Sequence, residues 1–254
     1  VTQRAAGRFV IFAAPRTGSN LLCGLLNAHP DILCHHGLFN PGGVHRARDR
    51  RGAFGSVAER DNDPLTFLDR VWNSNRDARA IGFKINLGEN PDAVEILLND
   101  RSVRKLLLRR RNRLRTYVSE KIATRTGVWE SYDPSPDAAL PAIRVAADDL
   151  LRHVDRNATW YAGLEAKLLA AGQDWLDADY EALADPHQIA RILAFLGVEG
   201  RASLAPTCHK RGPVNLGVVV TNLDELADAL AGTPLSEDLA GKDLRDLRSP
   251  LLTS

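Results

Sequence analysis

The sequence predicts an α/β fold, in three layers with helices on both faces of a central, mostly parallel sheet, and three observations predict it. Short apolar runs alternate with segments of helical spacing along most of the chain. The first of these runs passes through a tight Gly-Ser loop straight into a helix. A length of 254 residues, 44% hydrophobic and 26% charged, is enough to bury one substantial core. We therefore expect one domain over residues 1–254, with residues 232–254 as a polar, weakly patterned arm.

Taken in order, Arg8 to Ala14 reads as a strand bounded by Pro15 and Gly18, and Ser19 is placed to cap a helix that carries Leu21, Leu22, Leu25 and Leu26 to about His29. Pro30 and Asp31 end it. Ile32 to Cys34 reads as a second strand, followed by a loop rich in His, Gly and Pro that runs to about Gly55, long enough to be functional. Pro64 to Asn75 is expected as a helix, Ala80 to Ile85 as a strand, Asp92 to Asn99 as a helix and Val103 to Arg109 as a strand. Leu114 to Thr126 is expected as a helix. A long helix follows, with Ile143, Ala147, Leu150, Leu151, Val154, Ala158, Tyr161, Leu164 and Leu168 near helical spacing. Trp175 to Ala178 returns as a strand, His187 to Leu196 is a helix stopped by Gly197, and Asn222 to Leu230 is a last helix.

Several classes are disfavoured at once. No apolar run approaches the roughly 20 residues a membrane-spanning helix needs. The polar stretch Val1 to Arg8 does not read as a secretory signal, and Cys23, Cys34 and Cys208 form neither an even framework nor a close metal-ligand pair, so a reducing, cytoplasmic setting is expected. The net charge of +1 conceals a local bias: Arg101, Arg104, Lys105, Arg109, Arg110, Arg111, Arg113 and Arg115 fall together without an acid between them. An anion is the natural partner for such a run.

The loop Pro15-Arg16-Thr17-Gly18-Ser19-Asn20 lies between strand and helix, where backbone N–H groups and the positive end of a helix dipole converge on an anion. A nucleotide triphosphatase would have G-x-x-x-x-G-K-[ST] here. Ala13 stands in place of the first Gly, and Ser19-Asn20 in place of the Lys and the Mg²⁺-binding hydroxyl. Arg16 sits inside the loop instead, and its planar donor array suits two oxygens of a phosphate or sulfate. Further on, Arg111 and Ser119 are separated by eight positions across a strand-helix junction and could face one ligand. The plainer alternatives are a tight turn with a surface Arg, and a solvated helix start for Arg113 and Arg115.

With both elements in view, the sequence resembles the sulfotransferases that use 3′-phosphoadenosine 5′-phosphosulfate (PAPS). In that family a P-[RK]-[ST]-G-[ST] loop binds the 5′-phosphosulfate and a later R-x₇-S element binds the 3′-phosphate. Lys210-Arg211-Gly212 looks like a third family element, a basic-Gly segment that returns to the 3′-phosphate. The likeness is nearest to the bacterial carbohydrate-type branch, which includes trehalose sulfotransferases, through His29 to His36, Leu38-Phe-Asn-Pro41, Ile81-Gly-Phe-Lys84, Tyr180-Glu-Ala-Leu183 and Phe195-Leu-Gly-Val198. It implies a P-loop-like fold and transfer of a sulfuryl group from PAPS to a hydroxyl of a small carbohydrate, lipid or secondary metabolite, releasing PAP with no metal. It also implies a possible homodimer.

Carried over residue by residue, the resemblance assigns the donor to Arg16, Thr17, Gly18, Ser19, Asn20, Leu21, Arg111, Ser119, Lys210, Arg211 and Gly212. Arg16 would also act in catalysis by offsetting charge on the bridging oxygen, and Lys84 would support the transferring group. The proton acceptor departs from the family. The branch's Glu aligns with Gly37, and the K-x-H segment of the cytosolic branch reads Lys84-Ile85-Asn86. His35 and His36 lie in the same loop and are chemically able to take the proton, or to do no more than pack. Three other readings stay open: a PAPS binder without turnover, a P-loop phosphotransferase dependent on Mg²⁺, and a nucleic-acid binder using the basic run. The acceptor would meet the segment Asn40 to Asp63 and the stretch from Trp129 through Tyr132 to Pro136.

Overall fold

A computed structural model describes residues 6–47, 54–75, 77–129, 140–199 and 215–240. Five strands form its sheet: β1 (Gly7–Ala13), β2 (Ile32–Gly37), β3 (Ala80–Asn86), β4 (Val103–Arg109) and β5 (Trp175–Asp179). They pair in the order β2-β3-β1-β4-β5, and every pairing is parallel. The expected α/β sheet is thus present, with each crossover carrying a helix.

Side-chain alternation in β1 explains the layers, because successive residues of a strand point to opposite faces. Phe9, Ile11 and Ala13 pack with Leu22, Leu25 and Leu26 of α1 (Ser19–Asn27) and Ile192, Leu193 and Leu196 of α7 (Pro186–Leu196). Val10 and Phe12 face the other way, onto Phe67 and Val71 of α3 (Pro64–Trp72), Leu97 of α4 (Pro91–Asn99) and Leu164 and Leu168 of α6 (Ala147–Ala170). A third cluster joins Leu114 and Val118 of α5 (Arg113–Thr126) to Leu150, to Leu226 and Leu230 of α8 (Leu223–Leu230), and to Leu235.

Three local expectations are corrected. Ser19 does not cap α1: Gly18 occupies the cap in a left-handed conformation, with no side-chain cap hydrogen bond. The second strand does not stop at Cys34 but continues through His35, His36 and Gly37, because β3 offers a partner edge that a sequence window cannot see. Between the loop that follows it and α3 lies a short helix, α2 (Val57–Asn62), opened by a capping box between Ser56 and Glu59. Buried Arg60 of α2 donates from Nη1 to Leu38 O and Asn40 O at 2.8 Å each, which pins the loop to the end of β2. Ile143, expected in the long helix, instead bridges to Val220 ahead of it.

Three arginines of the basic run are neutralised by distant partners. Arg109 pairs with Glu165 at 2.7 Å and with Asp177, Arg111 pairs with Asp179, and Arg113 pairs with Asp238 at 2.9 Å. Lys105 is buried, donates to Asp100 O at 2.6 Å, and has its pKa lowered to about 8 by desolvation. Within the span expected as an arm, Leu235 and Asp238 pack against the start of α5. Among the described residues no helix is long and apolar enough to cross a membrane.

Candidate active site

Strand register brings the candidate residues to one edge. Ala13 lies opposite both Asn86 and Leu108, Gly37 opposite Lys84, and Arg109 opposite Asp179, so the carboxyl ends of all five strands are level. The chain leaves β1 toward β2 on one side and later returns to β4 on the other. This puts the loop after β1 at the point where strand order reverses, the usual ligand crevice of an open parallel sheet.

Tertiary bonds hold that loop rather than its own sequence alone. Ala14 N donates to Tyr161 Oη at 2.8 Å, and the same hydroxyl donates to Leu108 O at 2.5 Å, tying the ends of β1 and β4 together through α6. Burial raises the Tyr161 pKa to about 12, so the phenol stays a donor at any physiological pH. Thr17 Oγ1 donates to Ala14 O at 2.7 Å and closes the turn. Replacing Tyr161 by Phe leaves two buried backbone groups without this partner. Chemical denaturation should then show a loss of about 2–3 kcal/mol, with a looser loop.

The backbone of the loop is special at two positions. Arg16 has φ 64°, the one positive value outside glycine among the described residues, and Gly18 has φ 91°. A Cβ on Gly18 would stand 2.3 Å from the Tyr180 ring, so only glycine fits beneath that aromatic. Leu22 N to Gly18 O is the first bond of α1, which leaves the amides of Ser19, Asn20 and Leu21 at the uncapped helix start.

Arg16 reaches across the crevice, where its Nε donates to Ser119 Oγ at 2.9 Å and its Nη1 to Trp129 O. The first loop and the middle of α5, 103 residues apart in sequence, are therefore joined by this hydrogen bond. Arg110 completes the wall: its guanidinium lies over Tyr180 at 4.5 Å and donates to Arg16 O at 3.4 Å. Arg111 takes a different direction from Ser119. Its side chain is largely exposed and bonded to Asp179, which raises its pKa, while its backbone N donates to Glu181.

His35 is fully buried, stacks edge-on with Phe54 at 5.1 Å and accepts from Ala47 N at Nδ1, 3.1 Å away. Those bonds commit its ring to holding the loop after β2 and leave it no path to a substrate. His36 falls where β2 slips register against β3, since His35 pairs with Phe83 and Gly37 with Lys84. Such a bulge re-aims a side chain, here toward Asn20 Oδ1, 3.4 Å from Nδ1. Lys84 is buried at the end of β3, and no described residue takes a hydrogen bond or ion pair from its ammonium.

Residues that sequence reasoning did not reach include Tyr161, Tyr180, Arg110 and Glu89. Tyr161, Tyr180 and Arg110 figure in the sequence only as a helix position, part of a family-like phrase and a member of the basic run, and Glu89 belongs to no motif. Lys210, Arg211, Gly212, Cys208, Tyr132 and Pro136 lie outside the described residues. Among the described residues no group of three or more His, Cys, Asp or Glu is disposed to hold a metal ion.

No protein-family profile matches the chain. Nodulation protein H of Rhizobium tropici is 28% identical over 240 residues, which cover 90% of this chain and 91% of that protein. Nodulation protein H of Rhizobium meliloti (strain 1021) is 30% identical over 154 residues, 56% of this chain and 61% of that protein. Solved structures with a similar chain course include a sulfotransferase from Alicyclobacillus acidocaldarius, with TM-score 0.48 and 20% identity over 97% of this chain and 100% of that one. A mouse sulfotransferase complexed with PAP gives TM-score 0.45 and 14% identity, over 93% and 88% of the two chains. The sulfotransferase domain of the Synechococcus PCC 7002 olefin synthase gives 0.44 and 13%, over 94% of each chain.

Proposed function

We propose that this chain is a sulfotransferase, and that it moves the sulfuryl group of PAPS to a hydroxyl of a small acceptor and releases PAP. The observation that supports the reading is the bond from Arg16 to Ser119, which brings the phosphate-type loop to the serine of the R-x₇-S element. The amides of Ser19, Asn20 and Leu21 cradle the 5′-phosphate, and Thr17 and Gly18 set the turn that aims them. Ser119 and the Arg16 guanidinium bind oxygens on the far side; the resemblance also assigns the 3′-phosphate to Lys210, Arg211 and Gly212, and to Arg111, which would have to leave Asp179 to reach it.

Transfer is an in-line displacement: the acceptor oxygen bonds to sulfur while the bond from sulfur to the bridging oxygen breaks and its electron pair leaves with PAP. Negative charge grows on that bridging oxygen. Fixed positive charge there lowers the barrier because it needs no reorganisation, and Arg16 supplies it. Lys84, whose ammonium has no ion pair among the described residues, offsets the charge of the transferring group from the same edge. The acceptor is a carbohydrate, lipid or secondary metabolite bounded by the Arg60-pinned loop and by Trp129, whose indole is 47% exposed. The protein acts in a cytoplasmic setting on a small molecule.

Calorimetric titration with PAP and with PAPS, in the absence of Mg²⁺, tests the donor assignment. Micromolar binding of both is the expected result. Absence of binding, or ATP turnover that requires Mg²⁺, would favour a phosphotransferase and overturn the proposal. PAPS binding with no transfer to any hydroxyl compound would leave a donor-binding protein in place of an enzyme.

A further inference from the structure

Sulfuryl transfer to an aliphatic hydroxyl needs a group that takes the proton, and the two histidines expected for it are poorly disposed. His35 is buried and engaged, and His36 turns toward Asn20. A carboxylate outside the motifs lies at the same place. β3 ends at Asn86, the chain turns through Leu87 and Gly88, and Glu89 N donates back to Asn86 O at 3.0 Å. The Glu89 side chain is then held from both oxygens, Oε2 accepting from Asn86 N at 3.0 Å and Oε1 from Asn86 Nδ2 at 3.1 Å. Asn86 Oδ1 in turn faces Ser19 Oγ of the phosphate loop at 3.5 Å.

Glu89 is only 7% exposed and forms no ion pair among the described residues. A buried carboxylate with no cation at contact distance is costly to keep, and such groups concentrate at working sites. Gly37 shows what it faces. A Cβ built on Gly37 would lie 3.4 Å from Glu89 Oε1 and 3.6 Å from Lys84 Nζ, so an ammonium from β3 and a carboxylate from the turn after it converge on a residue that has no side chain to separate them.

We propose that Glu89 is the general base of the transfer, working in the gap left by Gly37; the proposal rests on the sulfotransferase reading. Glu89 Oε1 takes the acceptor's proton as its oxygen bonds to sulfur, and the pair from the breaking bond to the bridging oxygen leaves on PAP. Asn86 is a positioning residue that fixes the carboxylate by two hydrogen bonds and links it to Ser19. Lys84, across the gap, faces the sulfuryl oxygens.

The test compares the wild type with Glu89→Gln in three measurements: PAP affinity by calorimetry, PAP release from PAPS with trehalose as an aliphatic acceptor or with water alone (hydrolysis), and PAP release with p-nitrophenol at pH 8. That phenol is already ionised and needs no base. With a general base lost, transfer to the aliphatic acceptor should fall by about 10²–10⁴-fold, while PAP affinity and transfer to the phenol stay within a few-fold. Installing Gly37→Glu in the Glu89→Gln chain should restore part of the aliphatic rate by bringing a carboxylate from the other side of the gap. If Glu89→Gln does not fold, Glu89→Asp replaces it and should show a smaller loss with the same selectivity.

An unchanged aliphatic rate overturns the proposal, and so does an equal loss with both acceptors, which a merely structural role would give. Wild-type chain that binds PAPS but transfers to neither trehalose nor water overturns it as well. Failure of the sulfotransferase reading is separately visible, as absence of PAP and PAPS binding by the wild type before any turnover is measured.

Discussion

Gly18→Ala is expected to weaken PAP binding by at least about 100-fold while the chain still folds. Two costs combine at this position. The φ of 91° places any L side chain in the left-handed region, a cost of about 1–2 kcal/mol. The added methyl would also stand 2.3 Å from Cδ2 and 2.8 Å from Cε2 of Tyr180, a ring that is itself buried under the stacked Arg110. Something must move, and the loop is the part with freedom to do so. Displacing it turns the amides of Ser19 and Asn20 away from the phosphate. Two hydrogen bonds to a charged group, at about 1.5 kcal/mol or more each, account for the expected factor. Gly232→Ala is the control, since φ there is 74° but nothing lies within 4 Å of the new methyl. It should show the left-handed cost in a thermal melt and bind PAP normally. Equal PAP affinity in both variants would sink this account of the loop.

Arg16→Ala should lose on two scales at once. Affinity for PAP is expected to fall about 10- to 100-fold as one or two charge-assisted bonds disappear. Turnover at saturating PAPS should fall a further 10²–10³-fold or so, because the charge that develops on the bridging oxygen loses its nearest fixed cation. The split between Kd and kcat separates this from a collapsed loop, which would damage binding alone. Arg16→Lys keeps the charge but cannot both donate from a planar Nε to Ser119 and present a fork to the donor. It should recover part of kcat and little of the affinity. If Arg16→Lys matches the wild type in both, the guanidinium geometry is irrelevant and a point charge is enough.

The histidines, the base and the basic run show where sequence reading stopped. His35 and His36 are equivalent in a one-dimensional reading. A register slip of β2 against β3 decides that one is sealed against Phe54 while the other is turned to Asn20. Gly37 reads as the loss of a side chain until β3 and the turn after it bring Lys84 and Glu89 to either side. The cluster from Arg101 to Arg115 reads as a continuous anion-binding stripe because the acids that pair with Arg109, Arg111 and Arg113, namely Glu165, Asp177, Asp179 and Asp238, come 50 residues or more later. Of that run, Arg110 is the member that reaches the phosphate loop.

By itself the sequence determined the alternation of strands and helices and the all-important loop after the first strand. These are local properties, set by side-chain periodicity over a few residues and by Gly, Pro and Ser at a turn. Strand order, the level ends of the five strands, the Tyr161 tie between β1 and β4, and the approach of Glu89 to Gly37 were decided by the tertiary structure alone. Each depends on contacts between segments distant in sequence or on how a turn is oriented against a neighbouring strand. Such contacts are chosen by packing and by the need to satisfy buried polar groups, which no short window of residues encodes.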